Sequence, residues 1–169
     1  MRPNLALIGF MGVGKSTIGR LCARRLGYGF RDTDFAISLR MGRTIPDIFA
    51  SLGEAEFRAI EREIVAELAA MPRTVISTGG GVVLDPLNVD VLRAHGRVVW
   101  LRATPEVILR RVGDARARPL LAGEGDRSQR VLEMLEERTP IYNAAADYSV
   151  DTNDRPPYQI VQEIIRHFS

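Results

Sequence analysis

Cysteine, tryptophan, histidine and lysine are nearly missing from this chain of 169 residues. A single cysteine, Cys22, cannot form an internal disulfide, which excludes a disulfide-stapled scaffold and fits a reducing compartment. It falls on the apolar side of a helical pattern and reads as a small core residue. His95 and His167 stand apart with no metal-ligand spacing, so neither is assigned a role. No apolar run approaches the ~18 residues of a membrane span. The short apolar run in MRPNLALIGFMGVG is broken by glycines and followed at once by GKST, which reads as a buried strand and not as a signal peptide. No block of like charge occurs either: 23 basic and 21 acidic residues are interspersed for a formal charge of +2, so neither a nucleic-acid stripe nor a membrane partner is expected. Repeats and low-complexity segments are absent. These exclusions leave a cytoplasmic protein as the expectation; small-molecule substrates and a monomer are expected alongside it.

What is present is ordinary in bulk and specific in detail. Apolar residues make up 46% and charged residues 26%, as in soluble globular proteins. The length suits one domain over 1–169 and is too short for two. Short apolar runs alternate with helical periodicity throughout, the pattern of an α/β fold with a parallel sheet. Strands are predicted at Leu5-Ala6-Leu7-Ile8, before Asp32, at Val75-Ile76-Ser77, at Val98-Val99-Trp100-Leu101 and at Tyr148-Ser149-Val150-Asp151. Trp100 reads as core within its strand. Thr44-Ile45-Pro46-Asp47 resembles a capping box, and a long helix is predicted from near Gly53 to about Ala70. Helical spacing also covers 126–138, and a last helix follows Pro156-Pro157. The stretch GDARARPLLAGEG, 113–125, breaks the periodicity with three glycines and a proline and is expected to be a mobile lid.

The scarcity of lysine is the informative one. Lys15 is the one lysine among 23 basic residues, and it stands in GFMGVGKST, a match to G-x-x-x-x-G-K-[ST] placed after a strand and before a helix. Gly9, Gly12 and Gly14 let the loop turn its N–H groups around phosphate oxygens, and the helix N-terminus adds partial positive charge. The run Gly12, Val13, Gly14, Lys15, Ser16 and Thr17 is therefore predicted to hold ATP, with Lys15 on the β- and γ-phosphates and the Ser16 hydroxyl on Mg2+. Lysine is a compact point charge on a slim stem, whereas guanidinium is a planar fork. Arginine serves elsewhere in the chain and lysine is kept where shape matters.

Asp32-Thr33-Asp34 is predicted to close a buried strand at the sheet edge where α/β folds bind ligands. Two carboxylates spaced i, i+2 face the same way on an extended chain, so one could hold Mg2+ and the other accept a proton. The same pattern fits a turn or helix cap. Thr78-Gly79-Gly80-Gly81 reads as a close approach of backbone to ligand or as a flexible connection.

Taken together, GFMGVGKSTIGR (9–20), DTD (32–34), IFxxxGExxFRxxE (48–61), TGGG (78–81), RPLLAG (118–123) and ERTPIY (137–142) resemble the shikimate kinase family in order and spacing. The resemblance implies a P-loop kinase fold like that of the nucleoside monophosphate kinases, with a five-stranded parallel sheet flanked by helices. It implies transfer of the γ-phosphate of ATP to the 3-hydroxyl of shikimate with Mg2+. Carried over by motif, Asp34 binds shikimate hydroxyls and serves as base, and Asp32 lies near Mg2+. Arg58 and Arg138 hold the carboxylate beside Gly80 and Gly81, Arg118 comes from the lid onto the phosphates, and Arg111 and Arg155 flank the adenine. A small P-loop kinase for a sugar acid or a nucleotide would share the cradle but lack the DTD, FR and TGGG set. A non-catalytic nucleotide-binding module would not be expected to keep every polar position.

Overall fold

The structure, a computed structural model, describes residues 3–112 and 127–169. The expected lid at 113–125 and Arg118 lie outside the described residues. Five strands, β1 (Asn4–Ile8), β2 (Gly29–Asp32), β3 (Thr74–Ser77), β4 (Gly96–Arg102) and β5 (Tyr148–Asp151), form one parallel sheet in the order β2-β3-β1-β4-β5. Helices α1 (Lys15–Leu26), α2 (Thr33–Met41), α3 (Ile45–Ala70), α4 (Pro86–His95), α5 (Pro105–Arg111), α6 (Arg127–Ala145) and α7 (Pro157–Phe168) connect and follow the strands.

The central strand is β1, whose five residues are all buried because helices cover both faces of a parallel sheet. Leu5, Leu7, Ile8, Val75, Val99 and Leu101 are fully buried and form the heart of the core. β1 lies between β3 and β4, so the chain changes direction of winding beside it. A crevice opens beyond the carboxyl ends at such a point, and the loops after β1, β2 and β3 all end there.

Two local expectations, on β2 and on the end of α6, are corrected. The strand before Asp32 is not buried: β2 is an edge strand with one neighbour, and its residues alternate between exposed and half-buried. The long helix expected from near Gly53 is the second arm of α3: a first arm starts behind Thr44, whose hydroxyl accepts from the Asp47 amide at 3.3 Å, and the two meet in a kink at Gly53, where φ is 81° and ψ 171°. Helix α6 does not stop at Arg138 but runs through Pro140 to Ala145. An internal proline costs roughly 3 kcal/mol, and the burial of Tyr142 and Ala145 on the following turn offsets it. Between β3 and α4 a single 3-10 turn, Val82–Leu84, was not legible in the sequence.

Candidate active site

The loop between β1 and α1 ends at Gly14, whose φ of 92° is a left-handed conformation that L side chains adopt at a cost. No side chain caps α1 and no acidic residue sits in its first turn. Its first N–H groups and the positive end of its dipole therefore face the crevice, the arrangement that receives anions. Lys15 is buried, and its Nζ donates to the carbonyls of Gly9 at 2.7 Å and Phe10 at 2.9 Å. The loop thus curls around a slim stem with the charge held at its mouth. Val13 turns its side chain into the core.

A cavity of about 250 Å³ opens against this loop. One wall carries Gly12, Gly14, Lys15, Ser16 and Thr17; the other carries Asp32, Asp34, Ser77, Thr78 and the first two glycines after it. The Ser16 hydroxyl donates to Asp32 Oδ2 at 2.7 Å and lies 3.3 Å from the Ser77 hydroxyl. The other Asp32 oxygen, Oδ1, accepts from the Phe35 amide at 3.1 Å and so caps α2. The two carboxylates do not share a side of an extended chain. Asp32 ends β2, Asp34 lies in the first turn of α2, and both reach the cavity because the helix begins between them.

The glycine triplet forms a ridge across the crevice. Its first residue is held by the Gly79 amide donating to Thr33 Oγ1 at 2.8 Å, and a Cβ on Gly79 would stand 2.6 Å from Asp34 Oδ1. At Gly81 a Cβ would stand 2.5 Å from Arg58 Nη2, so the guanidinium lies directly on the backbone. From the other side comes Arg138, buried, with Nη1 at 3.6 Å from the position of a Gly80 Cβ and its guanidinium over the Phe10 ring at 5.9 Å. Two cations from helices far apart in sequence thus converge on one ridge beside the cavity.

Arg58 Nη1 donates to Glu61 Oε1 at 2.9 Å, with Glu54 Oε1 at 3.4 Å from Nη2. Glu61 is 1% exposed, and its second oxygen, Oε2, has no hydrogen-bond partner among the described residues. Burial pushes its carboxyl up to about 7, further helped by Asp34 and opposed by Arg58 and Arg138. Desolvation wins because the ion pair satisfies only one of the two oxygens.

The remaining arginines are placed differently. Arg111 donates to Thr152 Oγ1 at 3.2 Å and to the Thr152 carbonyl at 3.1 Å, and its Cβ lies 3.4 Å from the position of a Gly12 Cβ, so it backs the loop. Arg155 donates to the Asp151 carbonyl at 2.8 Å and pairs with Glu163 at 2.6 Å, at the junction of β5 and α7 and outside the cavity walls. Single-residue reasoning missed Ser77, Glu61 and Tyr142. Their signals were present: Ser77 directly precedes TGGG, Glu61 closes the FRxxE spacing that puts it on one helix face with Arg58, and Tyr142 closes ERTPIY.

The family model described as SKI, shikimate kinase, matches residues 11–169. The chain belongs to the shikimate kinase family. It is 42% identical over 165 residues to the shikimate kinase of Caldanaerobacter subterraneus, covering 98% of this chain and 95% of that one. To the shikimate kinase of Mycobacterium avium it is 47% identical, covering 98% and 93%. A solved structure of shikimate kinase from Acinetobacter baumannii in complex with shikimate superposes with a TM-score of 0.93 at 37% identity, covering 98% of this chain and 92% of that one. As a member of the shikimate kinase family the chain is a phosphotransferase. A gluconokinase from Sinorhizobium meliloti, 17% identical with a TM-score of 0.59, shares the fold. Among the described residues no helix is long and apolar enough to cross a membrane.

Proposed function

We propose that this chain transfers the γ-phosphoryl group of ATP to the 3-hydroxyl of shikimate, giving shikimate 3-phosphate and ADP. The observation that carries the reading is the ridge: Arg58 and Arg138 converge on Gly80 and Gly81 next to the cavity, which Asp34 lines against Gly79. A nucleotide site alone has no use for that pair. An acceptor carrying both a carboxylate and a hydroxyl does.

Phosphoryl transfer passes through a loose transition state, so positioning and charge neutralisation supply most of the catalysis. The loop amides and Lys15 hold the phosphates. Arg58 and Arg138 hold the acceptor carboxylate through charge-assisted hydrogen bonds. Asp34, across the cavity from Lys15, takes the proton of the attacking hydroxyl as the bond to phosphorus forms. Arg118 is assigned to the phosphates and Arg111 and Arg155 to the adenine on the family resemblance.

The donor set by α1 suits Mg2+: a hydroxyl oxygen of Ser16 and a carboxylate oxygen of Asp32 stand 2.7 Å apart, all-oxygen and few, leaving positions for phosphate oxygens and water. When bound there the ion would neutralise charge on the β- and γ-phosphates. Ser16 and Asp32 would hold it, and Ser77 would orient the Ser16 hydroxyl.

ADP release should be measured with shikimate, an analogue lacking the carboxylate, gluconate and a nucleoside monophosphate in turn. Turnover is expected with shikimate, strongly reduced turnover with the analogue, and none with the other two. ATP hydrolysis that is the same with and without shikimate would overturn the reading.

A further inference from the structure

Tyr142 lies on α6 one turn beyond Arg138, on the same helix face. It is 1% exposed, a large aromatic side chain taken wholly out of water at the edge of a polar site. Its hydroxyl donates to the Gly80 carbonyl at 2.6 Å. The guanidinium of Arg138 comes to the same glycine, with Nη1 3.6 Å from the position of a Gly80 Cβ. A phenol has one proton to give, and here it goes to the Gly80 carbonyl.

The ring is held as firmly as the hydroxyl. It stacks on Trp100 of β4 with centroids 5.9 Å apart and an interplanar angle of 25°. Gly80 in turn touches the phosphate loop, since a Cβ there would lie 3.6 Å from the Met11 amide nitrogen. Three separate segments, the loop after β1, the glycine ridge and α6, therefore meet at Gly80. Burial pushes the phenol up to about 12, so the donor proton stays in place throughout the working range.

We propose that Tyr142 is a positioning residue for the acceptor: its hydroxyl fixes the Gly80 carbonyl, and the Arg138 guanidinium beside Gly80 keeps one geometry relative to the ridge. The inference rests on the reading that Arg138 holds the acceptor carboxylate. Tyr142 touches no reacting atom and acts through Arg138 and Gly80. A hydroxyl that merely satisfied a buried carbonyl would affect stability alone.

Tyr142→Phe removes one atom and keeps the ring on Trp100. Steady-state kinetics should show the KM for shikimate raised roughly twofold to tenfold, on the scale of one lost hydrogen bond between neutral groups, with the KM for ATP unchanged. Trp100 is the one tryptophan, so its fluorescence offers a titration with shikimate that needs no turnover. The dissociation constant should rise by the same factor. Arg138→Lys and the double variant complete a cycle: once the guanidinium fork is gone, the additional effect of Tyr142→Phe on the shikimate KM should vanish. A lowered melting temperature with both KM values unchanged would overturn the proposal. So would effects of the two substitutions that multiply independently. If Arg138→Lys itself leaves the shikimate KM unchanged, the carboxylate reading falls and this inference with it; if it raises that KM and only the coupling is missing, the inference alone falls.

Discussion

The hydroxyl of Ser16 donates to one oxygen of Asp32 at 2.7 Å while the other oxygen of Asp32 receives the Phe35 amide at 3.1 Å. One carboxylate thereby joins the start of α1, beside the phosphate loop, to the start of α2, which carries Asp34.

The two duties of Asp32 should separate by substitution. Asn is nearly as good a helix cap as Asp, whereas Ala loses the cap at roughly 0.5–2 kcal/mol. Asp32→Asn should therefore keep most of the urea midpoint and require more Mg2+ for half-maximal rate. Asp32→Ala should lose on both measurements. An unchanged Mg2+ requirement in both variants would remove Asp32 from the metal site.

Lys15 should not tolerate its cationic substitute. Lys15→Arg keeps the charge, but the loop carbonyls of Gly9 and Phe10 at 2.7 Å and 2.9 Å are spaced for one ammonium, and a planar fork cannot take that place without opening the loop. A fall in kcat of at least ~100-fold is expected, on the scale of losing one preorganised charge contact, with the circular dichroism spectrum intact. Activity close to wild type would show that charge alone suffices.

Arg58 and Arg138 should act on one substrate only. Removing either cation leaves a carboxylate partly unpaired at about 1.5–3 kcal/mol, or roughly tenfold to 150-fold in the shikimate KM, with the KM for ATP little changed. An acceptor lacking the carboxylate should be used poorly by the wild type and suffer far less from Arg58→Ala or Arg138→Ala. Equal losses on both acceptors would assign the arginines a structural or nucleotide role instead.

Glu61 should make the fold less stable as pH rises. Its folded value near 7 stands above its unfolded value of 4.5, so between those limits the folded state holds a proton that the unfolded state has released. Stability then falls with increasing pH across that window, by up to roughly 3 kcal/mol. Glu61→Gln keeps an acceptor for Arg58 and has nothing to titrate. Its urea midpoint should vary less between pH 5 and pH 8 than that of the wild type, and identical profiles would show that the carboxyl is ionised throughout.

The sequence by itself determined whatever is carried by neighbours along the chain. The phosphate loop is six consecutive residues between a strand and a helix, so its conformation follows from local glycines and the helix dipole. The cap at Thr44, the alternation of strands and helices, and the parallel sheet follow for the same reason. The tertiary structure decided what depends on distance through space. Arg58 and Arg138 meet at Gly81 and Gly80 only because α3 and α6 both pack beside the turn that follows them. Asp32 and Asp34 both reach the cavity by the start of a helix and not by strand alternation, a difference of backbone angles that the D-x-D pattern leaves open. The edge position of β2 depends on which strands become its neighbours, and the extension of α6 past Pro140 on what Tyr142 finds to bury itself against. The protonation of Glu61 is the furthest from the sequence, since it depends on how much water the folded chain removes and on the one oxygen it leaves without a partner among the described residues.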